Sequence, residues 1–441
     1  MKIDSNVLTP LFRDHIAALE KSYSSVLARA GYDGVVIHSG SPKRRSMFDD
    51  QDWPVRATPH FQHWLPLVWP HSALVVEPGK KPRLLWNVDL GFWERPMLPE
   101  SDHFWPSFDV VEVKEVAKLK DLLPNGKRLA FIGEDVADAA AWGFASADVN
   151  PAALLTELDR LRIAKSAYET FCLREANRRA CEGHAKVIDE FRRGDHSELK
   201  LHLLYLEATA QDDPETPYKN IVALGEHCAT LHHVGYSRVA EGAQSFLLDA
   251  GARFCGYDSD ITRTACKGKG AAADVFRGLI ERMEKLQQQT CREVAVGKPY
   301  QDLHNRSHEL LAPVLRDLGI ASGSDAELVA SGVTRKFLPH GLGHSLGLQT
   351  HDVGCAQVKP EPRNPFLRNT TNVAVGQVFT IEPGCYFIDS LLEELRASPA
   401  GKSVNWPLVD ELKKFGGVRI EDDLVVGARG TENLTREFLA V

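Results

Sequence analysis

Asp249 and Asp260 lie eleven positions apart in the stretch 246–265, FLLDAGARFCGYDSDITRTA. Apolar residues run into Asp249, a glycine-containing turn follows, and a second short strand carries Asp260. Read as an antiparallel hairpin centred near Phe254 and Cys255, the stretch places Asp249 opposite Asp260. Residues facing each other across a hairpin share a face, with Cβ atoms roughly 4.5–5.5 Å apart. Two ionised carboxylates that close repel, and one protonates unless a cation lies between them. The hairpin therefore asks for a metal ion, and further ligands must come from elsewhere in the chain.

Three later segments supply candidates. FLPHGLGHSLGLQTHDVG holds His340, His344 and His351, with Gly341, Gly343 and Gly347 keeping the backbone close and irregular. In VFTIEPGCYF, Glu382 ends a β-branched apolar run and precedes Pro383. Proline drives its predecessor towards extended geometry and ends the ladder, and an acid at the buried end of a strand needs a partner. In GGVRIEDDLVV, strand alternation turns Val418 and Ile420 one way and Arg419 and Glu421 the other. Two aspartates, one histidine and two glutamates make a site of four carboxylates and one imidazole. Their four negative charges balance two divalent cations, which bridging carboxylates hold about 3.5–4 Å apart in two-metal hydrolases. An oxygen-rich set with one histidine and no thiolate suits Mn²⁺, with Co²⁺ or Zn²⁺ as alternatives, and argues against a structural zinc site.

At 441 residues the chain exceeds a single core, so two domains are expected to position these groups. The net charge of −8 leaves no basic excess for phosphates and argues against nucleic-acid binding. No apolar run reaches about 18 residues, so no transmembrane helix and no membrane partner is expected. The amphipathic start MKIDSNVLTPLFRDHIAALE lacks the apolar stretch of a signal peptide. All eight cysteines follow residue 171 without a C-x-x-C pair. That favours free thiols in a reducing compartment, by default the cytoplasm.

Residues 1–30 read as a helix, with Leu11, Ile16, Leu19 and Val26 at helical spacing. A buried strand in GYDGVVIHSG leads to a polar, aromatic loop over 41–66, rich in ligand-recognising groups: Asp49, Asp50, Asp52, Trp53, His60, His63 and Trp64. SALVVEPG and PRLLWNV form a hairpin pattern, and FDVVEV and RLAFIGE are strands with VAKLKDLL as a helix between them. The pattern predicts a small α/β domain over residues 1–160. Ser166 and Glu169 form a capping box that starts a long helix near Ala167, and Asp195 with Glu198 suggests a second helix start. Strands NIVALG, SFLLDAG and DITRTA, helices near 273–294 and 301–318, and a strand-rich last third make residues 161–441 an α+β domain with helices on one side of a curved antiparallel sheet.

The motifs D-x10-D, H-G-L-G-H-x6-H, T-I-E-P-G and G-V-R-I-E-D, in that order, resemble the pita-bread metallopeptidases, the family of methionine aminopeptidase, aminopeptidase P and prolidase. FDDQDWPVRATPHFQHWLP resembles the same region of bacterial prolidase, the Xaa-Pro dipeptidase, which is related to organophosphorus acid anhydrolase. The resemblance implies an N-terminal domain of creatinase N-terminal type and a pita-bread catalytic domain. It implies that Asp249 binds one metal, that Asp260 and Glu421 bridge two, and that His344 and Glu382 bind the second. His351 resembles the histidine that contacts substrate and stabilises the tetrahedral intermediate. His340 resembles a catalytic histidine that either supports the ligands or faces the substrate, and Arg419 the arginine near the substrate carboxylate and the site acids. Tyr218, His232 and Tyr300 resemble pocket residues.

The expected reaction is hydrolysis of Xaa-Pro dipeptides by a metal-activated water, with Glu382 carrying the proton, and with organophosphate esters as a side activity. In this family the cap over the site commonly comes from a partner subunit, so the loop around 49–64 implies a homodimer. Aminopeptidase P, acting on longer Xaa-Pro peptides, is the alternative within the family. A non-catalytic pita-bread binding module is the alternative outside it, and the presence of all five ligands argues against it.

Overall fold

The computed structural model describes residues 5–93 and 95–439. The chain divides into two units, Met1–Phe171 and Cys172–Val441. In the first, helix α1 (Ser5–Ala30) buries Leu8, Phe12, Ile16, Leu19, Tyr23 and Val26, a stripe at helical spacing. The stripe passes through Leu8 and Phe12, so Leu11 is only half-buried. Positions 1–4 of the expected helix lie outside the described residues. Strand β1 (Gly34–His38) follows, then a small hairpin of β2 (Lys43–Arg44) and β3 (Asp52–Trp53), and helix α2 (Pro59–Gln62). The loop expected over 41–66 thus has structure of its own. Its Asp49, Asp50, Asp52 and Trp53 are exposed, whereas His63 and Trp64 are buried and His60 is half-buried.

Strands β4 (Ala73–Val76), β5 (Arg83–Asn87), β6 (Asp109–Val113) and β7 (Leu129–Ile132) complete a five-stranded sheet in the order β6-β5-β4-β1-β7. β4 runs antiparallel to β1 and β5, while β1/β7 and β5/β6 are parallel. β1, β4 and β7 are buried along their whole length and apolar except for His38 at the end of β1, as strands covered on both faces are. The segment Val116–Leu122 is 3₁₀ rather than α-helical. Helices α3 (Val136–Ala141) and α4 (Ala152–Leu161) follow, and the Ser166/Glu169 capping box starts α5 (Ala167–Arg193). There Ser166 N–H donates to Glu169 Oε2 (2.7 Å) and Glu169 N–H to Ser166 Oγ (3.3 Å).

In the second unit α6 (Glu198–Thr209) is capped by Ser197, whose Oγ accepts from Lys200 N–H (3.2 Å). The expected Asp195 start is displaced, because Asp195 pairs with Lys267. Strands β8 (Ile221–Leu224), β9 (Ser245–Asp249), β10 (Arg253–Phe254), β11 (Tyr257–Asp258) and β12 (Thr262–Cys266) come next, then α7 (Ala271–Arg292), α8 (Tyr300–Asp317), α9 (Asp325–Ala330) and α10 (Val333–Phe337). The last third is less strand-rich than expected. β13 (Val378–Ile381) and β14 (Gly384–Tyr386) are separated from β15 (Gly417–Arg419), β16 (Asp422–Gly427) and β17 (Gly430–Asn433) by α11 (Asp389–Ala397) and α12 (Trp406–Leu412). The ladders β12-β9-β8, β13-β16-β17 and β14-β15 are antiparallel, and a bridge between Thr262 and Glu421 joins the first to the strands that follow β15. Phe276, Leu279 and Met283 of α7 and Leu311 and Leu315 of α8 share one apolar cluster with Val418 and Ile420.

The register of the central hairpin differs from the expected one: Asp249 faces Thr262, not Asp260. Cys255 (φ +49°) and Gly256 (φ +87°) are both left-handed, the signature of a two-residue type I′ turn between Phe254 and Tyr257. That turn centres the ladder one residue later and slides the pairing by two. A slide of two preserves the side-chain face, so the two aspartates still converge.

Candidate metal centre

Alternation along the strands aims the acids. Phe246 and Leu248 of β9 pack with Phe191 of α5 and with Leu201 and Tyr205 of α6, which turns Asp249 to the opposite face. Phe379 and Ile381 of β13 join a second apolar cluster, which turns Thr380 and Glu382 away from it. Val418 and Ile420 enter the α7/α8 cluster, leaving Arg419 and Glu421 on the site side, as alternation predicts. His344 reaches the same place on an irregular strand beside β13. Glu382 N–H donates to Leu342 O (2.8 Å), Thr380 N–H to His344 O (2.9 Å) and Leu346 N–H to Val378 O (3.0 Å). Gly343 is required there: a Cβ would lie 2.2 Å from Thr380 O and 2.5 Å from the Tyr300 hydroxyl.

Asp260, His344 and Glu421 are all buried, and each offers a ligand atom within 4.8 Å of the other two. Ser345 O can only accept, so His344 Nδ1 (3.1 Å away) carries the hydrogen. Nε2 then faces Asp260 Oδ2 at 3.3 Å and Glu382 Oε1 at 3.5 Å. A neutral imidazole nitrogen and two carboxylate oxygens are three acceptors, and a cation is what satisfies them together. Glu421 Oε2 accepts from Thr262 Oγ1 (2.6 Å). Asp249 Oδ2 accepts from Arg419 Nη2 (2.5 Å) and its Oδ1 from the Tyr218 hydroxyl (2.7 Å), which also touches Asp260 Oδ1.

Burial, then the neighbouring Asp249, push the Asp260 carboxyl well above the usual range. Burial, then Asp260, Glu382 and Asp249, do the same to Glu421. Glu382 is raised to about 7, chiefly by burial, with His344 and Arg419 pulling it down and Asp260 and Asp249 pushing it up. Acids packed together out of water in this way fit a divalent cation, which relieves the repulsion that raises them.

Arg419 is buried and committed: besides Asp249 it donates from Nε to Thr262 Oγ1 (3.1 Å) and from Nη1 to the Tyr386 hydroxyl (2.9 Å). Three of its five N–H donors are spent in this way. His340 Nδ1 donates to Gly341 O (2.7 Å), so its Nε2 accepts from the Tyr386 hydroxyl (2.8 Å). Burial first, then Arg419, push His340 down to about 3. His351 sits at the exposed edge with its ring 4.4 Å from that of His344 and nearly perpendicular to it. Tyr300 lies in the core behind β13, its hydroxyl spent on Thr380 O (2.7 Å), so it supports the strand instead of lining a pocket. His232 is exposed, and its charge reaches both His340 and His351. Its loop is tied down by buried Glu198, which accepts from His227 Nδ1 (2.7 Å), His233 Nε2 (2.9 Å) and Ser237 N–H (2.7 Å).

Sequence reasoning missed Thr262, Tyr386 and Asp423. Asp423 Oδ2 accepts from the Asp260 N–H (3.0 Å) and from Asn177 Nδ2 (2.8 Å), fixing the backbone under a candidate ligand. The available signal was position: Thr262 stands two residues past Asp260, Tyr386 four past Glu382, and Asp423 two past Glu421.

Comparison with known proteins adds independent findings. The model of metallopeptidase family M24 matches residues 172–428, and that of the Xaa-Pro dipeptidase N-terminal domain matches residues 10–159. An Xaa-Pro dipeptidase of Shewanella woodyi is 43% identical over 440 residues, covering 97% of this chain and 98% of the relative. One from Colwellia psychrerythraea is 40% identical over 435 residues, covering 96% of each. Among solved structures, Escherichia coli aminopeptidase P with the inhibitor Pro-Leu has a TM-score of 0.73 at 22% identity, covering 100% of this chain and 97% of that one. Proline aminopeptidase P II from Yersinia pestis has a TM-score of 0.72 at 22% identity, covering 97% of each. At that identity the likeness is one of fold.

Proposed function

This chain belongs to metallopeptidase family M24, and from that membership we propose that it hydrolyses Xaa-Pro dipeptides and releases free proline. The observation that carries this is the buried convergence of Asp260, His344 and Glu421 on one point. It occurs in a chain whose near-full-length relatives are Xaa-Pro dipeptidases. Asp249, Asp260, His344, Glu382 and Glu421 are assigned as ligands of two divalent cations, taken as Mn²⁺ from the oxygen-rich donor set. Bound there, such cations acidify water and polarise a carbonyl.

The chain's own residues do the rest. Glu382 is assigned the transfer of a proton from water to the leaving proline nitrogen, because its carboxylate faces His344 Nε2 (3.5 Å) where the proposed ligands meet. His351, on the rim beside His344, is assigned to the developing oxyanion. Tyr218 keeps its hydrogen, because burial and the flanking acids raise its pKa far above the ordinary value, and it orients Asp249 and Asp260. An Xaa-Pro bond is a tertiary amide without N–H, so the site must recognise the ring and the free carboxylate instead. Arg419, which spends three of its five N–H donors on Asp249, Thr262 and Tyr386, is assigned to that carboxylate.

Residues 1–160 are assigned as a domain that caps the partner's site in a homodimer. The support is a set of exposed apolar side chains around the β2/β3 hairpin, Met47, Phe48 and Trp53, with Phe48 90% exposed. Phe48→Asp is expected to shift the protein towards monomer in light scattering after gel filtration; an unchanged dimer removes this surface from the interface. All eight cysteines are free thiols, which suits the cytoplasm, and cell fractionation tests that placement.

The activity is tested by proline release from Ala-Pro and alanine release from Ala-Pro-Ala, with chelated and Mn²⁺-reconstituted protein. Metal-dependent cleavage of the dipeptide alone is the expected result, and cleavage of both makes the chain an aminopeptidase P. A phosphotriester in the same assay tests the side activity, since an activated water attacks phosphorus as well as carbon.

A further inference from the structure

The first unit holds a second group of ligand-type side chains. His38, the last residue of β1, is fully buried between the rings of Phe131 (6.1 Å) and Trp142 (5.6 Å). Its Nε2 has no hydrogen-bond partner among the described residues. Asp138 Oδ2 lies 4.0 Å from that nitrogen, too far for a hydrogen bond. His71 Nδ1 is likewise buried and unpartnered. One ligand atom from each of His38, His71 and Asp138 lies within 4.8 Å of the others.

Two further features prepare these residues. His71 has φ +55°, a left-handed conformation uncommon outside glycine, and its N–H is anchored on Gly40 O at 2.9 Å. Strain of that kind persists where the surroundings impose it, and here it accompanies an imidazole held in the cluster. On the other side of His38, Asp135 Oδ2 lies 3.0 Å from Nδ1. Asp135 Oδ1 is held in turn by Ser41 Oγ and by Lys43 Nζ (2.6 Å). Gly40 N–H donates to His38 Nδ1 (3.1 Å) and Asp135 Oδ2 has no hydrogen-bond partner among the described residues, so an ion at Nε2 requires the ring hydrogen to move to Nδ1, from which it would be donated to Asp135. When it donates to Asp135, Nε2 presents a lone pair to His71 and Asp138. A carboxylate behind an imidazole in this way is the usual support of a metal-binding histidine.

We propose that His38 Nε2, His71 Nδ1 and the Asp138 carboxylate form a mononuclear site for a divalent transition ion of the Zn²⁺ or Co²⁺ class, separate from the M24 centre. Two imidazoles and one carboxylate without a thiolate match that class, and the fourth position opens to water on the Asp138 side, where the side chain is 39% exposed. Ligands of one tetrahedral ion stand about 3.3 Å apart, and the partly exposed Asp138 can swing in to close the present gap. The ion would clasp the end of β1, the turn before β4 and the start of α3.

The test uses the full chain with the M24 centre disabled by Asp260→Asn and Glu421→Gln, stripped with chelator and titrated with Co²⁺ and Zn²⁺. The expected result is one ion per chain, with the intense visible absorption of tetrahedral Co²⁺. Asp138→Asn and His71→Asn, added singly, should each weaken binding by at least about tenfold. Asparagine tolerates the left-handed backbone, so His71→Asn separates ligand loss from misfolding. No stoichiometric ion, or equal affinity in both added variants, overturns the proposal. Should the disabled protein not fold, the wild type and Asp138→Asn are compared at saturation by elemental analysis. The wild type should bind one ion more, whatever the M24 centre holds, and equal counts overturn the site.

Discussion

Glu382→Gln is expected to lower proline release from Ala-Pro by at least about a thousandfold while leaving the far-ultraviolet circular dichroism unchanged. The amide keeps the shape of the side chain and can still accept from Thr380 Oγ1, which lies 3.5 Å from Glu382 Oε1. What it loses is the exchangeable proton and the charge. Because Glu382 also faces His344 Nε2, the metal content of the variant must be measured alongside the rate. Full loading with a collapsed kcat identifies proton transfer, whereas a lost ion assigns the effect to ligation. A variant that turns over normally removes Glu382 from the mechanism altogether.

Arg263→Met is expected to destabilise the second unit by about 3–5 kcal/mol, the usual cost of leaving a buried charge without one of its partners. Asp422 is completely buried. Its Oδ1 accepts from Arg263 Nη2 (2.7 Å), and its Oδ2 accepts from Arg436 Nε (2.7 Å) and Asn433 Nδ2 (2.8 Å). Arg263 Nη1 also donates to Glu421 O (2.7 Å), so the loss reaches the metal centre through the backbone. Urea midpoints at neutral pH give the magnitude, and a shift below about 1 kcal/mol refutes it. The pH dependence supplies a second check. Burial raises the Asp422 carboxyl, but Arg263, Arg436 and Asn433 outweigh it and hold the folded-state value below the ordinary one. A group lowered by folding contributes its full stability above the unfolded value near about 4, and loses it as pH falls through the folded value. The variant surrenders part of that lowering, so its deficit should be largest at neutral pH and shrink in acid.

The ligand types were legible because an acid or imidazole at the end of an apolar strand, beside glycine or proline, has few structural uses. Arg419 and Glu421 emerge from alternation alone, and the structure turns them to the face that alternation predicts, opposite Val418 and Ile420. The hairpin register was not legible. It depends on a left-handed Cys255, and cysteine carries none of the turn signal that asparagine or glycine would. The start of α6 was misread for a similar reason: Asp195 and Ser197 are both good caps, and only the tertiary pairing of Asp195 with Lys267 decides between them. The role of Arg419 was read from its position near the acids, but the sequence does not disclose that Tyr386 and Thr262 would each take one of its donors. Hydrogen-bond partners set by packing between distant strands leave no local trace.

The bridge from Thr262 to Glu421 spans 159 positions of chain. During synthesis the hairpin bearing Asp249 and Asp260 emerges well before the strands that bring Glu382, Arg419 and Glu421. Contacts this distant in sequence also form slowly, because loop closure must precede any gain from pairing. The convergence of Asp260, His344 and Glu421 is thus complete only once the far strands have docked on the early hairpin.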